Sequence, residues 1–448
     1  GWGILRRHFS SPPETAMLTR RAFLEASTLA VAGSAVPGAA SAETPSTTQG
    51  QEDLPPSIAA LRPMRDGVEP ITADERRGRV ERARELMTAQ GLDALMLTGG
   101  TSLVYVSNVR WGLSERLFAL VIPVRGTPFV VCPAFEEDRA REQLERGPLG
   151  PDGTDVLTWQ EHESPYQLVA SGLTARGIAA GALGMEETVR FLFADGVAQV
   201  APALRIVSGT PVTAGCRGRK DAHEIALMRH ASAVTLKAYD AAYRAVEDGM
   251  SQSRFAELVG LAHDRLGYSG GAGVQVGQYA ALPHGSVERQ ELREGTVLLM
   301  DGGCAVEGYR SDISRTFVIG TATARMRQVF EVVHRAQTAA LRAARPGVEC
   351  QAVDAAARQV IDDAGFGPDY KYFTHRVGHG IGMDGHEWPY LVRDNTERLA
   401  PGMAFSDEPG IYLPGEFGVR LEDDMVITDD GAELLTPQSP SLEDPFGA

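Results

Sequence analysis

Acidic residues in apolar, glycine-flanked runs mark the part of this sequence that could perform chemistry. Residues 297–300 are apolar and lead into Asp301-Gly-Gly, where the glycines let the backbone pass close to a bound ion. A second carboxylate, Asp312, follows eleven positions later. A hairpin between the two strands would bring both carboxylates together. Taken alone, such a pair is more typical of two solvated turn residues, so a metal site needs further ligands from elsewhere.

Histidines supply candidate ligands in residues 374–387, where three of the ten histidines of the chain lie among glycines. Imidazole is a common ligand of Mn, Fe, Co and Zn ions. Glycines on both sides of His379 let its imidazole turn toward a cavity. A solvent-facing loop position is a stronger alternative for His375 and His386 than for His379.

Two further carboxylates stand in apolar strands near the end of the chain. Glu408 precedes Pro-Gly, and Glu422 follows Arg420 by two positions. A charge in a strand needs a partner or a metal ion, because isolated burial costs several kcal/mol. Arg420 and Glu422 point to one face by the strand period of two. Arg420 could therefore hold a site carboxylate in place, with an ordinary cross-strand salt bridge as the alternative.

These residues resemble the pita-bread-fold metallopeptidases, which include prolidase, aminopeptidase P and methionine aminopeptidase, together with the metal-free creatinase. The resemblance is strongest over residues 283–422, where five ligand-type residues occur in the family's order Asp, Asp, His, Glu, Glu. It implies that Asp301 binds one metal ion, that His379 and Glu408 bind the other, and that Asp312 and Glu422 bridge both. Two divalent ions about 3.5–4 Å apart activate water and polarise a carbonyl. The carboxylate-rich set favours Mn, with Co, Fe and Zn as alternatives.

The resemblance also implies roles for residues around the ions. Glu408 would relay a proton, and His284 and His386 would orient the substrate and stabilise the tetrahedral intermediate. Stabilisation of this kind commonly contributes about 3–4 kcal/mol. His375 would be a further catalytic histidine.

The presence of a ligating residue at every metal-ligand position also distinguishes between possible classes of function. Creatinase lacks the metal ligands, and a family member that had become a binding scaffold would be expected to lose them, whereas every ligand position of this chain carries a ligating residue. The resemblance therefore implies a metallopeptidase that cuts the bond before proline in a small peptide. We expect an Xaa-Pro dipeptidase, with Xaa-Pro aminopeptidase as the first alternative and hydrolysis of another small amide as the second.

A dipeptidase must capture the substrate carboxylate, and arginine is the natural residue for that task. Arg393 lies near the place where prolidases have such an arginine, and Tyr390 stands where some of them have it. We expect Arg393 and Tyr390 to contact the substrate together with His284 and His386. A solvated loop position fits Arg393 equally well.

Composition excludes other classes of partner. The formal net charge of -16 argues against nucleic acid, because a nucleic-acid binder needs a basic face to displace counterions. The four cysteines have no CxxC spacing, so we expect buried, unpaired side chains. The family resemblance implies a homodimer.

The beginning of the chain is typical of an export signal. A basic start with Arg20-Arg21 is followed by small apolar residues and by Ala40-Ser41-Ala42, an A-x-A cleavage pattern. Residues 1–42 are therefore predicted to be upstream sequence and a twin-arginine signal, which would send the protein to the periplasm or outside the cell. Residues 43–70, rich in Pro, Ser, Thr and Gln, are predicted to be a linker, and no membrane span is expected in the mature chain.

Two domains are predicted to follow. Residues 71–213 alternate helices and apolar strands, which indicates a smaller α/β domain similar to the N-terminal domain of the creatinase and prolidase branch. Thr72 and Glu75 form a capping box that opens a helix ending at Gly91. Residues 214–440 combine long amphipathic helices with strands, so we expect an α+β catalytic domain of the pita-bread type, and residues 441–448 form a tail.

Overall fold

The structure is a computed structural model that describes residues 54–150 and 153–447. The predicted export signal and the first part of the predicted linker, residues 43–53, lie outside the described residues. From Leu54 onward the chain forms one compact unit. Within the described residues, no helix is both long and apolar enough to cross a bilayer.

In the first half of the described chain helices and strands alternate. In the second half, pairs of helices are followed by runs of strands. The helices are α1 (Pro56–Ala59), α2 (Ala73–Gln90), α3 (Thr101–Ser107), α4 (Glu137–Glu145), α5 (Pro165–Ala175), α6 (Phe191–Val200), α7 (Thr210–Arg217), α8 (Ala222–Tyr243), α9 (Gln252–Leu266), α10 (Ala324–Ala343) and α11 (Cys350–Ile361). The strands are β1 (Ala94–Leu97), β2 (Ala119–Pro123), β3 (Phe129–Pro133), β4 (Asp155–Trp159), β5 (Gly181–Met185), β6 (Leu204–Ser208), β7 (Gly270–Val276), β8 (Val297–Val306), β9 (Tyr309–Arg310), β10 (Ile313–Val318), β11 (Gly378–Gly380), β12 (Glu387–Leu391), β13 (Ala404–Asp407), β14 (Gly410–Leu413), β15 (Phe417–Arg420), β16 (Asp423–Ile427) and β17 (Ala432–Leu434).

The N-terminal α/β domain opens with the predicted capping box. The hydroxyl of Thr72 accepts the Glu75 N–H at 3.2 Å, and the Glu75 carboxylate accepts the Thr72 N–H at 2.6 Å. Helix α2 ends at Gln90 and is capped by Gly91, whose φ of 66° favours a residue without a side chain. Strands β1 to β6 form one mixed sheet in the order β4-β3-β2-β1-β5-β6. Its central strands are buried along their whole length because helices cover both faces.

The catalytic domain is α+β, as predicted. Strand β8 pairs with β7 on one side and with β10 on the other, and all of these pairings are antiparallel. A second antiparallel sheet has the order β12-β11-β13-β16-β17. Apolar side chains of α8 and α9 and of α10 and α11 form the main cores against these sheets. Strand ends from both sheets therefore approach one another between layers of helix.

Two predicted boundaries need correction. The linker prediction is wrong for residues 54–70, because Ile58 and Leu61 are buried in the core of α8 and α9 and Ser57 Oγ donates to the Ala241 carbonyl at 2.8 Å. The domain boundary predicted at residue 213 falls inside α7. That helix packs Val212 and Cys216 into the N-terminal core. The N-terminal domain therefore ends with α7, and the catalytic domain begins with α8.

The last residues also pack, rather than extending away as a tail. Leu442 is buried and its carbonyl accepts the Val318 N–H at 2.9 Å. Phe446 lies against Tyr243, with the ring centroids 5.6 Å apart. The four cysteines are all buried and free, which confirms the expectation from their spacing.

Candidate metal centre

The predicted ligands converge at the strand ends between the two sheets. Asp301 lies in β8 and Asp312 immediately precedes β10, and these strands form the predicted hairpin with Ser314 opposite Asp301. His379 lies in β11, and Glu408 follows β13, which pairs with β11. Glu422 stands between β15 and β16. Five residues that span 122 positions of the sequence therefore meet at one place.

The donor atoms fall into overlapping groups that fit two divalent ions. Asp301, Asp312 and Glu422 place ligand atoms within 4.8 Å of one another, and so do His379, Glu408 and Glu422. Glu422 belongs to both groups, and Asp312 Oδ2 also lies 3.9 Å from His379 Nε2. Oxygen-rich sets with one imidazole suit Mn, Fe, Co or Zn. This arrangement agrees with the bridging roles that the resemblance implies for Asp312 and Glu422.

Electrostatics at the centre also favour bound cations. Burial raises the pKa values of Asp312 and Glu422 well above their usual range, and neighbouring carboxylates raise them further. Burial also raises the pKa of Glu408, to about 7. The pKa of His379 is lowered to about 3 by burial and by His386, which leaves the imidazole neutral and able to ligate. Such a group of carboxylates needs protons or metal ions to remain buried.

Arg420 and Ser314 hold the ligands from behind. Arg420 Nη2 lies 2.7 Å from Asp301 Oδ2, and Arg420 Nε donates to Ser314 Oγ at 2.9 Å. The Ser314 hydroxyl lies 2.8 Å from Asp301 Oδ1 and 2.6 Å from Glu422 Oε2. Burial acts to raise the pKa of Asp301, but Arg420 together with the contacts to Glu422 and Ser314 outweighs it, and the pKa is lowered. The sequence-based role for Arg420 thus agrees with the geometry, whereas Ser314 was not predicted.

A cavity of about 350 Å³ opens over these ligands. All five predicted ligands line it, together with the predicted histidines His284, His375 and His386. The His386 ring stacks on that of His379, with centroids 3.8 Å apart. His375 Nε2 lies 2.7 Å from Tyr412 Oη. The structure therefore brings every predicted catalytic histidine to the metal centre.

The predicted substrate residues Arg393 and Tyr390 do not line the metal cavity. Arg393 lines another cavity, where its guanidinium lies 2.9 Å from Asp369, so the structure does not support carboxylate capture by Arg393. Tyr390 pairs with His379 across β11 and β12, but its side chain lines an adjoining cavity of about 290 Å³. The metal cavity is lined instead by Arg376, which was not predicted.

Two of the three unpredicted polar residues, Ser314 and Ser406, had a signal in the sequence. Ser314 lies two positions after Asp312, and Ser406 two before Glu408. The period of two places such neighbours on the same face of a strand as the ligand. Ser406 Oγ accepts the His379 N–H at 3.0 Å and donates to Glu408 Oε1 at 3.2 Å. Arg376 lies three positions before His379, in a loop where no period applies.

A buried ionic network connects the segment that carries His386 to the N-terminal domain. Arg217, at the end of α7, lies 2.5 Å from both Asp384 Oδ2 and Glu387 Oε1. Lys220 Nζ lies 3.1 Å from Glu387 Oε2. Because the charges of Arg217, Lys220 and Glu387 are largely buried, each of these three needs its partner. The network therefore anchors the strand that follows His386.

A smaller α/β domain joined to an α+β domain with five convergent carboxylate and imidazole ligands defines a metal-dependent hydrolase. The profile of Metallopeptidase family M24 matches residues 226–429, and that of the Creatinase/Prolidase N-terminal domain matches residues 79–218. The chain belongs to metallopeptidase family M24. This assignment confirms the expected pita-bread architecture and identifies the chain as a metallopeptidase.

Similar proteins share both domains. The "Probable dipeptidase PepE" of Mycobacterium tuberculosis is 37% identical over 345 residues, which cover 76% of this chain and 89% of that protein. An Xaa-Pro dipeptidase of Lactobacillus helveticus is 31% identical over 78% of this chain and 94% of its own length. The crystal structure of dipeptidase PepE from Mycobacterium ulcerans has a TM-score of 0.78 and 34% identity, covering 84% of this chain and 99% of that one.

Proposed function

We propose that this chain is an Xaa-Pro dipeptidase that uses two divalent metal ions, with Mn as the preferred ion. The observation that carries the proposal is the meeting of Asp301, Asp312, His379, Glu408 and Glu422 in overlapping ligand groups under one cavity. The Xaa-Pro specificity is supported by the relative from Lactobacillus helveticus, which is named for that reaction and matches nearly along its whole length.

Two bound divalent ions supply an activated water and polarise the scissile carbonyl. The residues of the chain then have separate tasks. Glu408, steadied by Ser406 at 3.2 Å, faces the cavity and accepts the proton that the attacking water loses. His284 and His386, which line the same cavity, donate hydrogen bonds to the oxygen that becomes negative in the tetrahedral intermediate.

The bond before proline suits such a site. Proline has no N–H and its φ is fixed, so peptidases that bind an extended chain through backbone hydrogen bonds cannot hold it normally. A site that activates water with metal ions does not need a hydrogen bond from that missing N–H. Xaa-Pro aminopeptidase remains the first alternative, and hydrolysis of another small amide the second.

The decisive experiment compares Ala-Pro with Ala-Pro-Ala. Metal-stripped protein is reloaded separately with Mn, Co or Zn, and its metal content is measured by mass spectrometry. Cleavage of Ala-Pro alone, highest with Mn and lost in His379→Ala, is the expected result. Cleavage of the tripeptide would indicate an aminopeptidase. Two bound ions without cleavage of either peptide would refute both proline-specific functions.

We also propose that the protein is exported by the twin-arginine route and assembles as a homodimer. The first proposal derives from Arg20-Arg21 and the Ala40-Ser41-Ala42 pattern, and the second from the family resemblance. Cell fractionation of the wild type beside a variant with Arg20→Lys and Arg21→Lys tests export, since the paired substitution should retain the protein in the cytoplasm. Sedimentation velocity tests the dimer, and a monomer at micromolar concentration would contradict it.

A further inference from the structure

A dipeptidase needs a cation that faces the cavity and is not already neutralised. Two side chains that line the metal cavity are permanently positive, namely Arg376 and Arg420. Arg420 is committed to Asp301, and it also donates to Tyr412 Oη and to the Pro283 carbonyl, both at 3.1 Å. It therefore has little capacity left for a substrate. Arg376 is the remaining candidate.

Arg376 is positioned but not neutralised. Its guanidinium lies over the Tyr390 ring, 4.0 Å from the centroid. Its Nη2 lies 3.2 Å from His386 Nδ1. Among the described residues, Arg376 forms no ion pair with a carboxylate, whereas Arg217, Arg315, Arg358 and Arg420 all do. A half-buried guanidinium beside a cavity, oriented by a ring and an imidazole, is prepared to receive an anion.

The backbone around Arg376 is fixed on both sides. The Val377 N–H donates to Asp354 at 2.9 Å, and the Val377 carbonyl accepts the Glu408 N–H at 2.8 Å. The Arg376 carbonyl lies 2.8 Å from His375 Nδ1. The arginine thus starts from a backbone segment that is hydrogen-bonded to metal-site residues, so its position relative to the candidate ligands is set by the fold.

The contact with His386 also determines which ring nitrogen can serve the substrate. The guanidinium of Arg376 can only donate hydrogen bonds, and a protonated Nδ1 of His386 could also only donate. The contact between them therefore requires a neutral His386 ring whose Nδ1 accepts. The ring proton then lies on Nε2, which can donate a hydrogen bond. That Nε2 proton serves the oxygen of the tetrahedral intermediate, and the guanidinium hydrogens of Arg376 that do not face His386 remain for an anion with two oxygen atoms.

We propose that Arg376, held by Tyr390 and His386, binds the free carboxylate of the proline residue and makes the enzyme a dipeptidase rather than an aminopeptidase. This inference rests on the proposed function. It replaces Arg393, whose charge is paired with Asp369 in a different cavity. Tyr390 contributes its ring face as the support for the guanidinium, in place of an arginine at its own position.

A matched pair of substrates isolates the carboxylate. Ala-Pro and alanyl-prolinamide contain the same scissile bond and differ at the group that Arg376 would bind. The Mn-loaded wild type should prefer the acid by about 10- to 100-fold in kcat/KM, the range expected for a charge-assisted contact. Arg376→Gln should lose this preference, because its kcat/KM should fall much further on Ala-Pro than on the amide. Arg376→Lys, which keeps the charge but not the planar fork, should be intermediate.

Arg393→Gln is the matched comparison, because it removes an arginine of the same region from outside the cavity. It should keep the full preference for the acid. Three results would overturn the inference. The first is loss of the preference in Arg393→Gln, and the second is retention of the preference in Arg376→Gln. The third is an equal loss of activity on both substrates in Arg376→Gln with wild-type metal content.

Calorimetric binding of the product gives a readout that does not depend on turnover. Wild-type holoenzyme should bind L-proline more tightly than L-prolinamide, and Arg376→Gln should bind the two alike. If the wild type cleaves neither the acid nor the amide, the proposed function fails. The product titration still decides the role of Arg376 in that case, since equal binding of proline and prolinamide by the wild type would refute it.

Discussion

Replacing Ser314 by alanine should weaken both metal binding and folding. Its hydroxyl has one proton but three close partners, since it lies within 2.9 Å of Asp301, Glu422 and Arg420 Nε. Asp301 and Glu422 are in one ligand group. Without the hydroxyl, these carboxylates lose the donor that orients them and Arg420 Nε loses its acceptor. Ser314→Ala therefore disturbs two ligands without removing either.

The size of the effect follows from the contacts. Loss of a residue that orients ligands typically lowers metal affinity by about 10- to 100-fold, which corresponds to about 1.4–2.7 kcal/mol. The orphaned charged donor should destabilise the metal-stripped protein by about 1–3 kcal/mol. Competition between the protein and a fluorescent chelator for Mn measures the affinity, and urea unfolding of the stripped protein measures the stability.

Ser107→Ala is the matched control. Ser107 is fully buried in α3 of the N-terminal domain, and its hydroxyl donates to the Leu103 carbonyl at 2.6 Å. Its loss should reduce stability while the Mn affinity stays at the wild-type value. Wild-type affinity in Ser314→Ala, or an equal loss of affinity in Ser107→Ala, would refute the reasoning.

Three further results are expected. The pKa values of Asp312 and Glu422 in the folded, metal-stripped protein lie above the ordinary 3.8 and 4.5. The folded state therefore binds more protons than the unfolded chain above these values, and its stability should fall as the pH rises; thermal melts at about pH 5.5 and 8 should show this fall, and Mn should reverse it at the higher pH. Arg217→Met deprives Glu387 of one of its cations and should lower the free energy of unfolding in urea by about 3 kcal/mol, so an unchanged value would contradict the role of the network. His284→Ala should reduce kcat by about 100-fold with the metal content unchanged, and a loss of metal would instead make His284 a ligand.

Three of the five ligands have a local signal, whereas the complete set was implied by the family resemblance. Asp301 ends an apolar run before two glycines, and Glu408 and Glu422 are charges in apolar strands. Such placement is costly without a partner, so the sequence itself indicates that something binds there. Arg420 could be assigned by the strand period, and its 2.7 Å contact with Asp301 agrees with that assignment.

The arginine facing the substrate could not be predicted in this way. Arg376 and Arg393 both lie in irregular segments, where no periodicity relates a sequence position to a direction in space. The difference between them arises from tertiary contacts, since Asp369 neutralises Arg393 while Tyr390 holds Arg376 at the cavity. The packed residues 54–70 were missed for a similar reason. A few apolar side chains of this segment, such as Ile58, pack against α8 and α9, and the composition of the segment does not reveal this packing.

The order of the ligands along the chain has a consequence for how the protein is made. Asp301 and Asp312 leave the ribosome well before His379, and Glu422, which belongs to both ligand groups, is the last of the five ligands to emerge. A nascent chain that stops short of β15 therefore has carboxylates but no complete site for either ion. A complete ligand set therefore forms only after Glu422 has been made, so retention of two ions would report that synthesis has passed β15.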